Sequence, residues 1–153
     1  MRSPRLLLIA AVVAALACEP NLSQPLDRSG RPVQVPPVNG TAVLHFWGTW
    51  CAPCRAELPE LAAFAAAHPE IRIETIAIDP SFAAVDRFLE DRAIALQEVY
   101  LDPKGRVARR FGVKVVPTTL VLGSGGTIVA RFRGKMNWRD PSTLKEMSRG
   151  SSP

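Results

Sequence analysis

The stretch that most limits what this chain can become is "AVLHFW", Ala42–Trp47, followed at once by "GTWCAPCRAELPEL". A nearly unbroken apolar run of that length reads as a strand covered on both faces, and such a strand belongs in a sheet with helices above and below it. Directly after it the apolar period changes. Leu58, Leu61, Ala62 and Ala65 recur at spacings of three and four, which predicts a helix starting near Cys51, with Pro59 expected to kink it. A buried strand feeding a helix through a tight turn is the opening of an α/β fold.

The alternation continues. "IRIETIAID", Ile71–Asp79, reads as a second strand, and Phe82, Val85, Phe88 and Leu89 mark a second helix running to near Ala95. "VYLD" is a short third strand, Asp102-Pro103-Lys104-Gly105 a turn, and "RVARRFG" a brief helix stopped by Gly112. "TTLVLGSGGTIVARF", Thr118–Phe132, is a hairpin turning on Gly123–Gly126; Asp140-Pro141 opens a last helix, aspartate as cap and proline in the first turn. In front of all this, "LDRSGRPVQVPPVNG", Leu26–Gly40, suggests a short edge hairpin ended by Pro36-Pro37. The pattern predicts one domain over residues 26–149, built on a central mixed β-sheet with helices on both faces, and a disordered tail over 150–153.

The N-terminus reads as an address. Arg2 and Arg5 precede the apolar run Leu6–Ala17, which ends in small residues at Cys18. That is the layout of a secretory signal (residues 1–17), and the run is too short to span a bilayer, which needs ~20 apolar residues. "AALAC", Ala14–Cys18, also resembles a bacterial lipobox, which implies cleavage before Cys18, lipid on its thiol and residues 18–25 as a tether to a membrane. Acylation at Cys18 would also account for the odd one of three cysteines. Charge excludes little else. The chain has 19 basic and 14 acidic side chains, and the densest basic cluster, Arg106, Arg109, Arg110 and Lys114, has only Phe111 as an aromatic neighbour. It reads as a solvated helix face, with no nucleic-acid partner.

Cys51 and Cys54 lie three positions apart at the head of the first helix. Structural zinc needs about four ligands, and the two histidines, His45 and His68, lack the paired spacing; no metal is expected. Covalent haem needs histidine after the second cysteine, where Arg55 stands. A staple closing so short a loop removes little entropy from the unfolded chain. Redox chemistry remains. Unpaired amides and the macrodipole at a helix N-terminus favour thiolate, and such settings lower a cysteine pKa from ~8.5 into the range ~3.5–7.5. Cys51, first at the terminus, is the expected attacker and Cys54, one turn inside, the expected resolving thiol. Pro53 suits the first turn because it has no amide hydrogen to leave unpaired.

"FWGTWCAPC" with the later "VVPTTLVL" resembles the thioredoxin superfamily, and more narrowly its membrane-tethered TlpA/ResA-like thiol-disulfide oxidoreductases. "CRAELP" and "DRSGRPVQV" are similar to that subfamily's helix opening and leading hairpin. The resemblance implies a thioredoxin-like fold with an N-terminal hairpin and a βα insertion between Cys54 and Pro117. It implies that Pro117 is a cis proline facing the cysteines, with the Val116 backbone pairing to an extended substrate. It places Trp50, Ala52 and Pro53 on the substrate-facing rim. His45 stands where classical thioredoxins carry a buried aspartate, as a proton acceptor for Cys54 or as a hydrogen-bonded core residue. Glu74 matches an acidic position near the active site, where a half-buried carboxylate would exchange protons with the pair. The implied activity is reduction of disulfides in exported proteins, including the haem-binding cysteines of cytochrome c precursors. The electrons would come from a membrane donor of the DsbD/CcdA type, with no cofactor.

Two other readings stand beside it. A peroxiredoxin-like peroxidase usually sets its cysteine in Pro-x-x-x-Thr-x-x-Cys, and "HFWGTWCAPC" lacks that proline. A Sco-like copper-binding assembly protein spaces its cysteines by three residues and adds a later histidine, and none follows His68.

Overall fold

The structure is a computed structural model, described here for residues 24–35 and 41–151. The secretory signal, Cys18, most of the tether and Pro36-Pro37 lie outside the described residues. Five strands form one sheet in the order β3-β2-β1-β4-β5. They are β1 (Ala42–Trp47), β2 (Ile73–Ala77), β3 (Glu98–Leu101), β4 (Thr118–Leu122) and β5 (Ile128–Arg133). The helices are α1 (Ala52–Ala67), α2 (Phe82–Asp91), α3 (Arg106–Arg110) and α4 (Pro141–Met147). β1, β2 and β3 run parallel, while β4 is antiparallel to both β1 and β5. The mixed sheet with helices on both faces is therefore as the sequence predicts, and α2 with β3 forms the βα insertion.

Alternation along the strands decides which residues meet which helices. Val43 and Trp47 on β1, with Ala77 and Val121, point toward α1, α2 and α4. Leu44 and Phe46, with Ile76, Leu120 and Leu122, point to the other face, where Val107, Ala108 and Phe111 of the α3 region and Val35 cover them. Every residue of β1 and of β2 is buried, as a central strand requires.

Several boundaries differ from the expectation, each for a visible reason. α2 ends at Asp91 rather than near Ala95, because Ala93 takes a left-handed φ of 49° and the chain turns back, with Ile94 N–H donating to Leu89 O (2.9 Å). The leading hairpin is reduced to single antiparallel bridges, Leu26 with Pro32 and Leu26 with Leu101. Asp27 gathers the Ser29 and Arg31 N–H groups and so fixes the turn between them. The Ser29 hydroxyl and the other donors it binds hold the Asp27 carboxyl down at about 2. At the other end a 3₁₀ turn continues through Ser148–Ser151, so the tail expected from residue 150 is structured as far as Ser151. Gly150 lies so close to the Leu122 carbonyl oxygen that an added Cβ would sit 2.3 Å from it.

Candidate active site

The cysteines sit where β1 hands over to α1. Cys51 is the N-cap, with extended backbone, and its sulfur accepts from the Cys54 N–H at 3.3 Å. Ala52 and Pro53 occupy the first turn and are exposed. Cys51 and Cys54 are joined as a disulfide, and only Cys51 retains any exposure, 5% against 0%. The Val116–Pro117 peptide bond is cis, and Cys51 Sγ lies 3.6 Å from the Val116 carbonyl oxygen. The turn is thus folded against the loop that enters β4.

The residues before Cys51 are held from β2. Asp79, 2% exposed, accepts from Thr49 N–H at 3.0 Å and from the Thr49 hydroxyl at 2.5 Å. Trp50 is 61% exposed, yet its indole N–H donates to Ile78 O at 2.8 Å. The indole lies flat over Gly48, where a Cβ would come within 2.6 Å of it, so Gly48 is needed for close approach. Arg55 closes the loop by donating to Thr49 O at 3.1 Å.

Beneath the pair is a buried polar group. His45 is fully buried; its Nδ1 is 3.0 Å from the Thr119 hydroxyl and its Nε2 is 3.2 Å from Glu57 Oε1. That second distance is ion-pair range, but the alignment is not that of a hydrogen bond, and both atoms lack another partner. The other Glu57 oxygen accepts from Met136 N–H at 2.7 Å. The same loop holds the cis proline from behind, Gly134 N–H donating to Pro117 O at 2.8 Å. Trp138, 3% exposed, packs edge-on against the His45 ring.

Glu57 is the residue that sequence reading passed over. It stands three positions after Cys54 on the buried stripe of α1, with Leu58 and Leu61. A carboxylate at that spacing from a cysteine, inside an otherwise apolar stripe, was the available signal. Glu74 takes a correction. It pairs in register with Leu44, so it lies on the sheet face opposite α1 and the cysteines. Its carboxylate is fully buried and held by Arg72 Nε at 2.6 Å. Burial pushes its pKa up, with the Arg72 guanidinium opposing. Nearby, burial and Glu98 push the Tyr100 phenol up to about 12. Among the described residues no cluster of three metal-ligating side chains occurs.

Comparison with known proteins gives this geometry relatives. A thiol:disulfide interchange protein DsbE homolog of Paracoccus denitrificans is 35% identical over 97 residues, covering 63% of this chain and 52% of its own, so this chain spans about half of that relative. The thiol-disulfide oxidoreductase ResA of Bacillus thuringiensis is 29% identical over 112 residues, covering 71% of this chain and 64% of ResA. Among solved structures, a secreted Mycobacterium tuberculosis disulfide oxidoreductase homologous to DsbE superposes with a TM-score of 0.66 at 25% identity, over 82% of this chain and 94% of the other. The family model described as AhpC/TSA matches residues 17–131. With its mixed thioredoxin-like sheet, its Cys51–Cys54 pair and these relatives, the chain belongs to the AhpC/TSA family, alongside thiol-disulfide oxidoreductases of the DsbE and ResA type.

Proposed function

We propose that the protein reduces disulfides of extracytoplasmic proteins through the Cys51/Cys54 dithiol. The observation that carries this reading is the placement of Cys51: N-cap of a 16-residue helix, the less buried of the two sulfurs, and 3.6 Å from the carbonyl before a cis proline. Unpaired first-turn amides favour its thiolate, which attacks a substrate disulfide sulfur. The substrate S–S bond breaks, a mixed disulfide forms at Cys51, and the released thiolate takes a proton. Cys54 then attacks Cys51 Sγ, forming the intramolecular disulfide and releasing the second substrate thiol. Two electrons have passed from the pair to the substrate. The Val116 carbonyl and amide offer main-chain partners to an extended substrate segment lying between Trp50 and Pro117.

Glu57 rather than Glu74 is the carboxylate suited to serve Cys54, since it shares the buried face of α1 and is coupled to His45. Restoring the dithiol needs an outside reductant, which for an exported protein is a membrane dithiol donor of the DsbD/CcdA type. Export, acylation at Cys18 and action on cytochrome c precursors complete the proposal. The N-terminal sequence supports the first two, and the likeness to DsbE- and ResA-type proteins supports the third. The test is trapping. Cys54→Ser should accumulate reducible adducts with exported cysteine proteins on non-reducing gels, and Cys51→Ser should give few or none; the reverse pattern, or adducts with neither, would refute the assignment. Labelled fatty acid should enter the wild type and not Cys18→Ser.

The AhpC/TSA match keeps a peroxidase as second reading. Hydrogen peroxide consumed by the reduced protein faster than a protein disulfide would favour it. Copper retained after anaerobic titration and dialysis would instead favour the metal-assembly reading.

A further inference from the structure

Exposed cations gather at the end of the sheet that holds the disulfide. The ends of β1, β2 and β3, the start of β4 and the end of β5 meet at the cysteines, because Thr118 pairs with Arg133 and Trp47 with Ala77. Four exposed cations stand on this end. Arg55 lies in the first turn of α1, Lys114 two residues before Val116, Arg133 across from Thr118, and Lys135 beside the Gly134 that binds Pro117. None forms an ion pair with a carboxylate among the described residues.

Three carboxylates of the same region are turned inward, and the exposed Asp140, in the loop after β5, is held by the Ser142 N–H and hydroxyl at 2.8 Å each. Asp79 is spent on Thr49, and Asp102, 3% exposed, accepts from Arg106 and Ala108 N–H groups at 2.8 and 2.9 Å. Glu57 is buried under the sheet end with His45. Beside Cys51 and Val116 along the chain stand two large apolar side chains, Trp50 at 61% and Val115 at 52% exposure. Exposed apolar side chains beside cations that no carboxylate answers mark a recognition surface rather than a solubilising one.

We infer that this face receives an extended, acidic, cysteine-bearing segment of a partner protein: apolar groups flanking the cysteine rest on Trp50 and Val115, and carboxylates answer Arg55, Lys114 and Lys135. The inference rests on the dithiol reading and adds the charge class of its substrate. An extended segment is the fitting occupant because the Val116 main chain beside the disulfide is available for strand-like pairing. Exposed charges of this kind act mainly on encounter, so the effect belongs to the association rate and falls with salt.

The experiment uses the full chain, reduced and freed of reductant, mixed with two synthetic peptide disulfides of equal length, one with glutamates and one with lysines flanking the cysteines. Tryptophan fluorescence follows oxidation of the pair. The acidic peptide should react ~10-fold faster at low ionic strength, and the ratio should fall to about twofold at roughly 0.5 M salt. The charge reversal Lys114→Glu with Lys135→Glu should shift the preference toward the lysine peptide. Equal rates at low salt, a faster lysine peptide, or a preference indifferent to salt or to the reversal would overturn the inference. So would equal peptide rates with retention on vesicles of anionic lipid, which would assign the face to a membrane surface. If neither peptide nor neutral dithiodipyridine oxidises the pair, the dithiol reading falls, and this inference with it.

Discussion

Removing either half of the buried His45–Glu57 pair should cost far more than removing both. Glu57→Leu takes away the acceptor of Met136 N–H and leaves His45 Nε2 in a site with no exposure and no other partner. An orphaned buried polar group costs ~1–3 kcal/mol. With Met136 N–H and His45 Nε2 both deprived of Glu57, about 4 kcal/mol is expected. His45→Leu leaves the Thr119 hydroxyl and one Glu57 oxygen unanswered, while Met136 still binds the other oxygen, so about 3 kcal/mol is expected. The double variant removes both polar groups and fills the space with hydrocarbon, a replacement that is often near neutral. It still strands Met136 N–H, so about 2 kcal/mol remains. The cycle therefore predicts roughly 5 kcal/mol of coupling between the two side chains. Urea unfolding of the four proteins in the oxidised state measures it. Single-variant effects that add to within about 0.5 kcal/mol would refute the claim that the two side chains depend on each other.

Three further outcomes are expected. Ala93→Gly should stabilise the protein by ~1 kcal/mol in urea unfolding, because Ala93 holds a left-handed φ that glycine adopts without hindrance. Gly150→Ala should destabilise by ~1–3 kcal/mol and expose Leu122 amide protons to exchange, because its Cβ meets backbone rather than a movable side chain. Glu74→Gln should change how stability varies with pH. Burial raises the Glu74 carboxyl in the folded state, so its contribution is full below the unfolded value of 4.5 and is lost as pH rises through the higher folded value; the variant should gain on the wild type across that rise and show no gain in more acid solution.

What could be read from residues alone follows what local chemistry controls. β1 was legible because five of its six residues are apolar, and α4 because Asp140 and Pro141 suit a cap and a first helical turn. Cys51 and Cys54 were legible because their spacing and the helix start lie within one turn. Glu74 was misjudged because its role depends on which sheet face it occupies, and that is fixed by register with Leu44, a distant residue. Glu57 was missed for the converse reason: a glutamate on a helix reads as surface until a β1 histidine is found above it. The reduced leading hairpin reflects a choice of partner, since Leu26 bonds to Leu101 as well as bridging to Pro32.

That choice decides how the two borders of the sheet meet other chains. At β3, Leu26 exchanges both main-chain hydrogen bonds with Leu101, 2.8 and 2.9 Å, so the outermost strand is already occupied at its end nearest the disulfide. The opposite border, β5, carries Arg131 and Arg133, and Arg131 is anchored to Phe111 O at 2.8 Å. One border is closed by the protein's own leader and the other by fixed positive charge. Stray strands are discouraged on both, which leaves the short stretch before Pro117, beside the sulfur atoms, to the substrate segment of the proposed function.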